Sequence, residues 1–158
     1  MTDVTEFKYY VGTETKKLYL SEILDLYDRR IVAYKIGESN NNPLVFDTFD
    51  EAVRLNPDAH PLLHSDRGFQ YTNKTFHAKL AAHIMRQSMS GVGRCIDNGP
   101  MEEYWDPLKS EMYYLKRFHS KDDLATAIED YIHFYNNKRY QLRLHCMIPM
   151  EYHAAFAA

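Results

Sequence analysis

Asp66 closes the stretch "HPLLHSD" (60–66), a short apolar run that ends in a carboxylate. A carboxylate taken out of water without a partner is costly, so such a group is hydrogen-bonded, paired with a cation or holding a metal. Two further acids are candidates for the same site. Asp3 lies near the start of the chain, and Glu102 follows the stretch "SMSGVGRCIDNGP" (88–100), at the opening of a helix. Each also has an ordinary reading. Asp3 would be solvated surface beside a terminus, and Asp66 a turn residue bonded to Arg67 or a backbone N–H. Glu102 would be an acid favoured in a first helical turn by the dipole. Glu103 competes with Glu102, although adjacent helical residues point in different directions.

The remaining candidates are weaker. Lys109 lies seven residues after Glu102 and so shares its helical face, but surface lysines are mostly solvated. His64 precedes Asp66 by two and fits a structural histidine better than a proton shuttle. Trp105 and Tyr113–Tyr114 read as core or rim. Cys95 and Cys146 form no CxxC pair and match no metal pattern with the histidines.

The elements that must position these residues can be read coarsely. Three strands are expected at 3–11, 18–27 and 31–37, joined by "GTETKK" and "DRR", and their short connections favour an antiparallel meander. A helix over 44–55 follows, with Leu44, Phe46, Phe49, Val53 and Leu55 near one face. The run 60–66 reads as a fourth strand, and 73–84 as a helix with Phe76, Leu80 and Ile84 along a stripe. The glycine-rich stretch 88–100 is expected as a mobile loop, with Asp97 or Asn98 capping a helix from about 101 to 116. The clearest helix is 120–139, with Ser120 as N-cap and Leu124, Ile128, Tyr131, Ile132 and Tyr135 forming its apolar face. The order βββαβα followed by further helices predicts an α/β protein, a mixed sheet with helices packed on it.

Composition sets the outer limits. At 158 residues, 45% hydrophobic, the chain suits one globular domain. A formal net charge of −3 without a terminal block of like charge argues against a protein that lives by non-specific phosphate attraction alone, but leaves room for basic residues confined to one face. Two cysteines far apart, no secretory leader and no apolar run near the roughly 20 residues of a membrane span point to a cytoplasmic protein.

Eight short words, in order, resemble the integrase-core transposases of bacterial insertion sequences, relatives of retroviral integrases. They are "TDVTEF", "LDLYDRRIVAY", "HSDRGFQYT", "RQSMS", "DNGPMEEYW", "LKSEMYY", "YIHFYNNKR" and "PMEY". The 35 residues between Asp66 and Glu102 match that family's Asp, Asp, 35 residues, Glu pattern, and this spacing selects Glu102 over Glu103.

The resemblance implies a ribonuclease H-like fold, with a five-stranded mixed sheet flanked by helices, and a single catalytic core over 1–158. It implies that Asp3, Asp66 and Glu102 are both the catalytic residues and the metal ligands. Their hard oxygens suit Mg²⁺ or Mn²⁺ in a two-metal site with the ions roughly 3.5–4 Å apart. The implied activity is metal-dependent phosphoryl transfer on DNA, nicking 3′ ends of the element and joining them to target DNA. Lys109, Arg67, Gln70 and Tyr71 are the expected DNA contacts. The partners are then DNA and other copies of the chain, in a homo-oligomer, with no membrane and no small-molecule cofactor.

Two departures accompany the likeness. Where such transposases carry glycine after the aromatic pair, this chain has "YWDPLK", which puts Pro107 inside the helix. A kink or break is expected between Glu103 and Pro107, since an interior proline loses one backbone bond and costs about 3 kcal/mol. The upstream DNA-binding modules of such transposases are also expected to be absent, leaving the isolated core without sequence preference. The rival reading is therefore a catalytically inactive remnant that retains only the fold and DNA or subunit contacts. A ribonuclease H or junction resolvase shares the carboxylate logic but not "DNGPMEEYW" or "YNNKR".

Overall fold

The computed structural model describes residues 1–91 and 99–156. Three antiparallel strands open it: β1 (Thr2–Val11), β2 (Glu14–Leu24) and β3 (Ile31–Gly37). The β1–β2 turn is only two residues long, so β2 starts earlier than its sequence suggests. Gly12 makes the turn possible by adopting φ +59°, a value other residues rarely take. Helix α1 (Asn42–Leu55) is capped by Asn41, whose side chain accepts from the Leu44 N–H at 3.1 Å, with Pro43 in the first turn. Strand β4 (Leu62–Ser65) and helix α2 (Lys74–Ala82) follow, then β5 (Arg86–Met89).

Strand β5 was not foreseen from hydrophobic pattern, because "RQSM" is polar. Its neighbour stabilises it instead: β5 pairs in parallel with β4 along its whole length, and Gln87 Nε2 donates to Ser65 Oγ and to the Tyr71 carbonyl. The expected loop at 88–100 therefore begins inside a strand. Cys95 and the expected caps Asp97 and Asn98 lie outside the described residues.

The sheet order is β3-β2-β1-β4-β5, so the first strand lies at the centre with the fourth beside it. Period-2 alternation divides the side chains between two faces. On one, Ile23 and Leu63 meet Val45 and Phe49 of α1 and Phe76 and Leu80 of α2. On the other, Phe7, Tyr9, Leu18, Leu20 and Leu24 meet helices α3 (Gly99–Glu111) and α4 (Lys121–Asn137). All five residues expected on the apolar face of α4 are buried, and Ser120 caps it, accepting from the Asp123 N–H at 3.0 Å. A short helix α5 (Pro149–Phe156) ends the described chain. Among the described residues no helix is long and apolar enough to cross a membrane.

The expected break at Pro107 does not occur. Helix α3 runs unbroken from Gly99 to Glu111 with Pro107 inside it, although it ends earlier than the expected 116. Tyr104 and Leu108, on either side of the proline, are both fully buried against the sheet. Packing on these residues holds the turn that the missing N–H would otherwise loosen. Replacing Pro107 with alanine restores that bond, so Pro107→Ala should raise unfolding stability by roughly 1–3 kcal/mol in urea titration. An unchanged or lower midpoint would mean that the proline is already accommodated at no cost.

Candidate active site

Asp3 is the second residue of β1, and the alternation that buries Phe7 and Tyr9 puts it on the same face, the one covered by α3. Strand β4 joins β1 in parallel through Thr2 opposite Ser65, and the next residue along each chain is Asp3 and Asp66. Neighbouring strands are about 4.8 Å apart, so the backbones that carry Asp3 and Asp66 run next to each other at the end of this pairing. The buried Tyr71 registers both of them. Its phenol is pushed well above its ordinary range, first by burial and further by the negative charges of Asp3 and Asp66.

Local backbone bonds orient the pair. Asp3 Oδ1 accepts from the Val4 N–H at 2.7 Å, and Asp66 Oδ1 accepts from the Gly68 N–H at 2.8 Å. Gly68 allows the second bond. A Cβ there would lie 3.0 Å from Asp66 Oδ1 and 3.0 Å from Gln70 Oε1, so a side chain would crowd the carboxylate out of its place. Two hard oxygen donors on adjacent strands are suited to a divalent cation.

Glu102 is not gathered with them. It is exposed on the first turn of α3, and among the described residues no group of three His, Cys, Asp or Glu side chains could hold a metal ion. Lys109 is on the inner side of the same helix, with its ammonium over the rings of Trp105 and Phe7 at 5.6 and 5.8 Å. Partial burial lowers its pKa, while Asp106 and Glu22 pull it back up. Arg67 is exposed and donates from Nε to the Ser90 carbonyl at 2.9 Å.

Gln70 and Tyr71 are corrections. Expected on the DNA face, they are 3% and 1% exposed. Gln70 donates to Asn40, and Tyr71 packs on Phe76 with its hydroxyl 3.4 Å from Thr2 Oγ1. Side chains with so little surface have nothing to offer a duplex; they stiffen the turn that holds Asp66. His64 keeps its structural reading, with its two ring nitrogens 2.9 Å from Ser88 Oγ and 3.2 Å from Ser90 Oγ.

The residue that was missed is Glu22. It sits directly across the β1–β2 ladder from Asp3 and is fully buried. Its signal was present in the sequence. Leu18, Leu20, Glu22 and Leu24 alternate on the core face, and the acid occupies a position of that series where a leucine would pack. Glu22 Oε2 accepts from Trp105 Nε1 at 2.8 Å, which ties α3 to the strand beside Asp3, and its Oε1 has no hydrogen-bond partner among the described residues. Burial pushes its pKa up from 4.5 to about 8, and Asp3 adds to the rise, against the Trp105 and Tyr104 side chains and Lys109, which lower it.

Two integrase core domain models match the chain, over residues 1–95 and 102–155. The chain belongs to the integrase core family. It is 39% identical over 153 residues to the putative transposase InsK of insertion sequence element IS150 from Escherichia coli K12, covering 96% of this chain and 53% of that protein. It is also 40% identical over 151 residues to a transposase-like protein of Haemophilus influenzae, covering 96% and 68%. This integrase core thus spans about half the length of InsK.

Its fold is ribonuclease H-like. The catalytic core domain of HTLV-2 integrase, solved with magnesium in a trimeric form, superposes with a TM-score of 0.70 at 15% identity, covering 96% of this chain and 93% of that one. The core of BIV integrase superposes at 0.65 and 12% identity, with the same coverage.

The Glu22 proton sets a pH dependence. Folded, Glu22 keeps its proton up to about pH 8; unfolded, it loses it near 4.5. The native state binds the extra proton between those values, so stability falls as pH rises from about 4.5 to 8. Glu22→Gln keeps an acceptor for Trp105 and removes the titration. In metal-free buffer its melting temperature should match the parent at pH 5 and exceed it by roughly 2–4 °C or more at pH 8. Parallel pH profiles would contradict this.

Proposed function

We propose that this integrase core is the catalytic part of a DNA transposase, which cuts and joins phosphodiesters at the ends of a mobile element. The observation that carries the reading is the adjacency of Asp3 and Asp66 at the pairing of β1 with β4. In this reading both bind a divalent cation, Mg²⁺ or Mn²⁺, at a two-metal site, and Glu102 joins them from the start of α3. When bound, the cations activate the attacking hydroxyl and stabilise charge on the leaving oxygen. Lys109 and Arg67 hold backbone phosphates on either side of the carboxylates. Because Lys109 leans on Trp105, the bond from Trp105 to Glu22 also sets where that ammonium sits. Assembly into a homo-oligomer on those ends belongs to the same proposal.

A second reading, an inactive remnant, draws support from the exposed position of Glu102 apart from the other two acids. Helix α3 is continuous through Pro107, which weakens one support for that reading. Nicking and joining of a labelled duplex in Mn²⁺ separates the two. Activity should appear in the parent and fall with Asp3→Asn, Asp66→Asn and Glu102→Gln. Each loss should exceed the roughly 10–100-fold typical of removing an outer-shell group. A folded parent with no activity would favour the remnant. Activity that survives Asp66→Asn would refute the site.

A further inference from the structure

A second polar site lies at the other side of the α3 start. Three arginines from three segments line a cavity of about 80 Å³: Arg29 in the β2–β3 turn, Arg139 after α4, and Arg143 in the 3₁₀ turn at 142–144. Glu103 and Gln141 complete its polar wall. One carboxylate oxygen, Glu103 Oε2, serves two of the cations, Arg143 at 2.6 Å and Arg29 at 3.8 Å. The third, Arg139, is paired with Glu111 at 2.7 Å. The cluster therefore holds more positive than negative charge.

Arg29 is the anomaly. Its side chain is 10% exposed, yet among the described residues its ionic partner is Glu103 at 3.8 Å, outside hydrogen-bond range. Burial lowers its pKa, and the neighbouring Arg143 lowers it further. A guanidinium out of water is costly unless its donors are met. It is also held at φ +61°, an uncommon backbone state for a residue with a side chain. Beside it, Gln141 Nε2 is buried with no hydrogen-bond partner among the described residues. The amide influences the hydroxyl of Tyr135, but the two fall outside bonding geometry. Donors in excess, carried by planar guanidinium forks around a small cavity, are the chemistry that recognises a phosphate oxyanion.

We propose that the Arg29–Arg143–Gln141 cavity binds a phosphate group. Resting on the function proposed above, its source is a DNA backbone phosphate close to the bond held at Glu102, the residue next to Glu103; free phosphate shares the chemistry. Arg29 and Gln141 hold the oxygens from inside, Arg143 closes on them from the exposed side, and Arg139 adds positive charge nearby.

Two measurements on the full chain test this. The first is thermal unfolding in EDTA with inorganic phosphate exchanged for chloride at constant ionic strength. Phosphate should raise the parent's melting temperature by on the order of 3 °C. Arg143→Gln and Gln141→Leu should lose that gain, while Lys121→Gln, a change to a surface ion pair elsewhere, should keep it. The comparison removes the general stabilising effect of phosphate as a salt. The second is duplex affinity against salt. If DNA is the source, Arg143→Gln should reduce the slope of log affinity on log salt by about one.

Loss of the phosphate gain with an unchanged slope assigns the pocket to free phosphate. The proposal is overturned if phosphate gives the parent no gain, or if both cavity variants keep it. A parent that binds no duplex at all would refute the function proposed above, while the phosphate measurement would still decide the pocket.

Discussion

The parallel pairing of β1 with β4 is the contact on which the rest of the molecule depends. It is a single long-range register, Thr2 opposite Ser65, set after the chain has run through two more strands and α1. A parallel neighbour cannot be reached by a tight turn, so α1 and the residues after it are the crossover that makes the register possible. Their reward is the apolar layer of Phe49, Phe76 and Leu80 on Leu63. That layer holds β4 so that Asp66 ends beside Asp3. Two carboxylates so placed repel each other, and apolar packing on both faces of the sheet outweighs that repulsion.

Glu22 adds a third acid to the same neighbourhood, treated in the opposite way. Asp3 and Asp66 keep partial contact with solvent and stay on the rim, whereas Glu22 is sealed in and drawn towards its neutral form. Its bond to Trp105 joins the strand ladder to α3, so the helix that carries Glu102 and Lys109 is anchored at a point opposite Asp3. Arg143 grips the same helix at Glu103, with the charge of Arg29 nearby. The start of α3 is thus held from two directions, by a buried acid on one side and by cations on the other.

Much of this was legible in the sequence. The three leading strands, the cap at Ser120 and the apolar face of α4 follow from turn chemistry and periodicity, because those signals are local. Asp66 stood out locally as a carboxylate closing an apolar run, whereas Asp3 was singled out only through a family likeness. What was misread has physical causes. Strand β5 is polar and gains its order from β4. Gln70 and Tyr71 look like turn residues, and nothing local shows that the turn folds inward. Pro107 reads as a break when helix propensity is considered alone, yet Tyr104 and Leu108 are clamped by the core. Glu22 was overlooked for the reverse reason: its alternation signal was local and clear, but an acid invites a surface reading.

The central claim is that Asp3 and Asp66 form one cation site. Anomalous diffraction from crystals equilibrated with Mn²⁺ tests it most directly. The account predicts a manganese peak within coordination distance of an oxygen of each carboxylate, and its disappearance in Asp66→Asn. Manganese bound elsewhere, with Asp3 and Asp66 free of it at saturating concentration, would contradict the account.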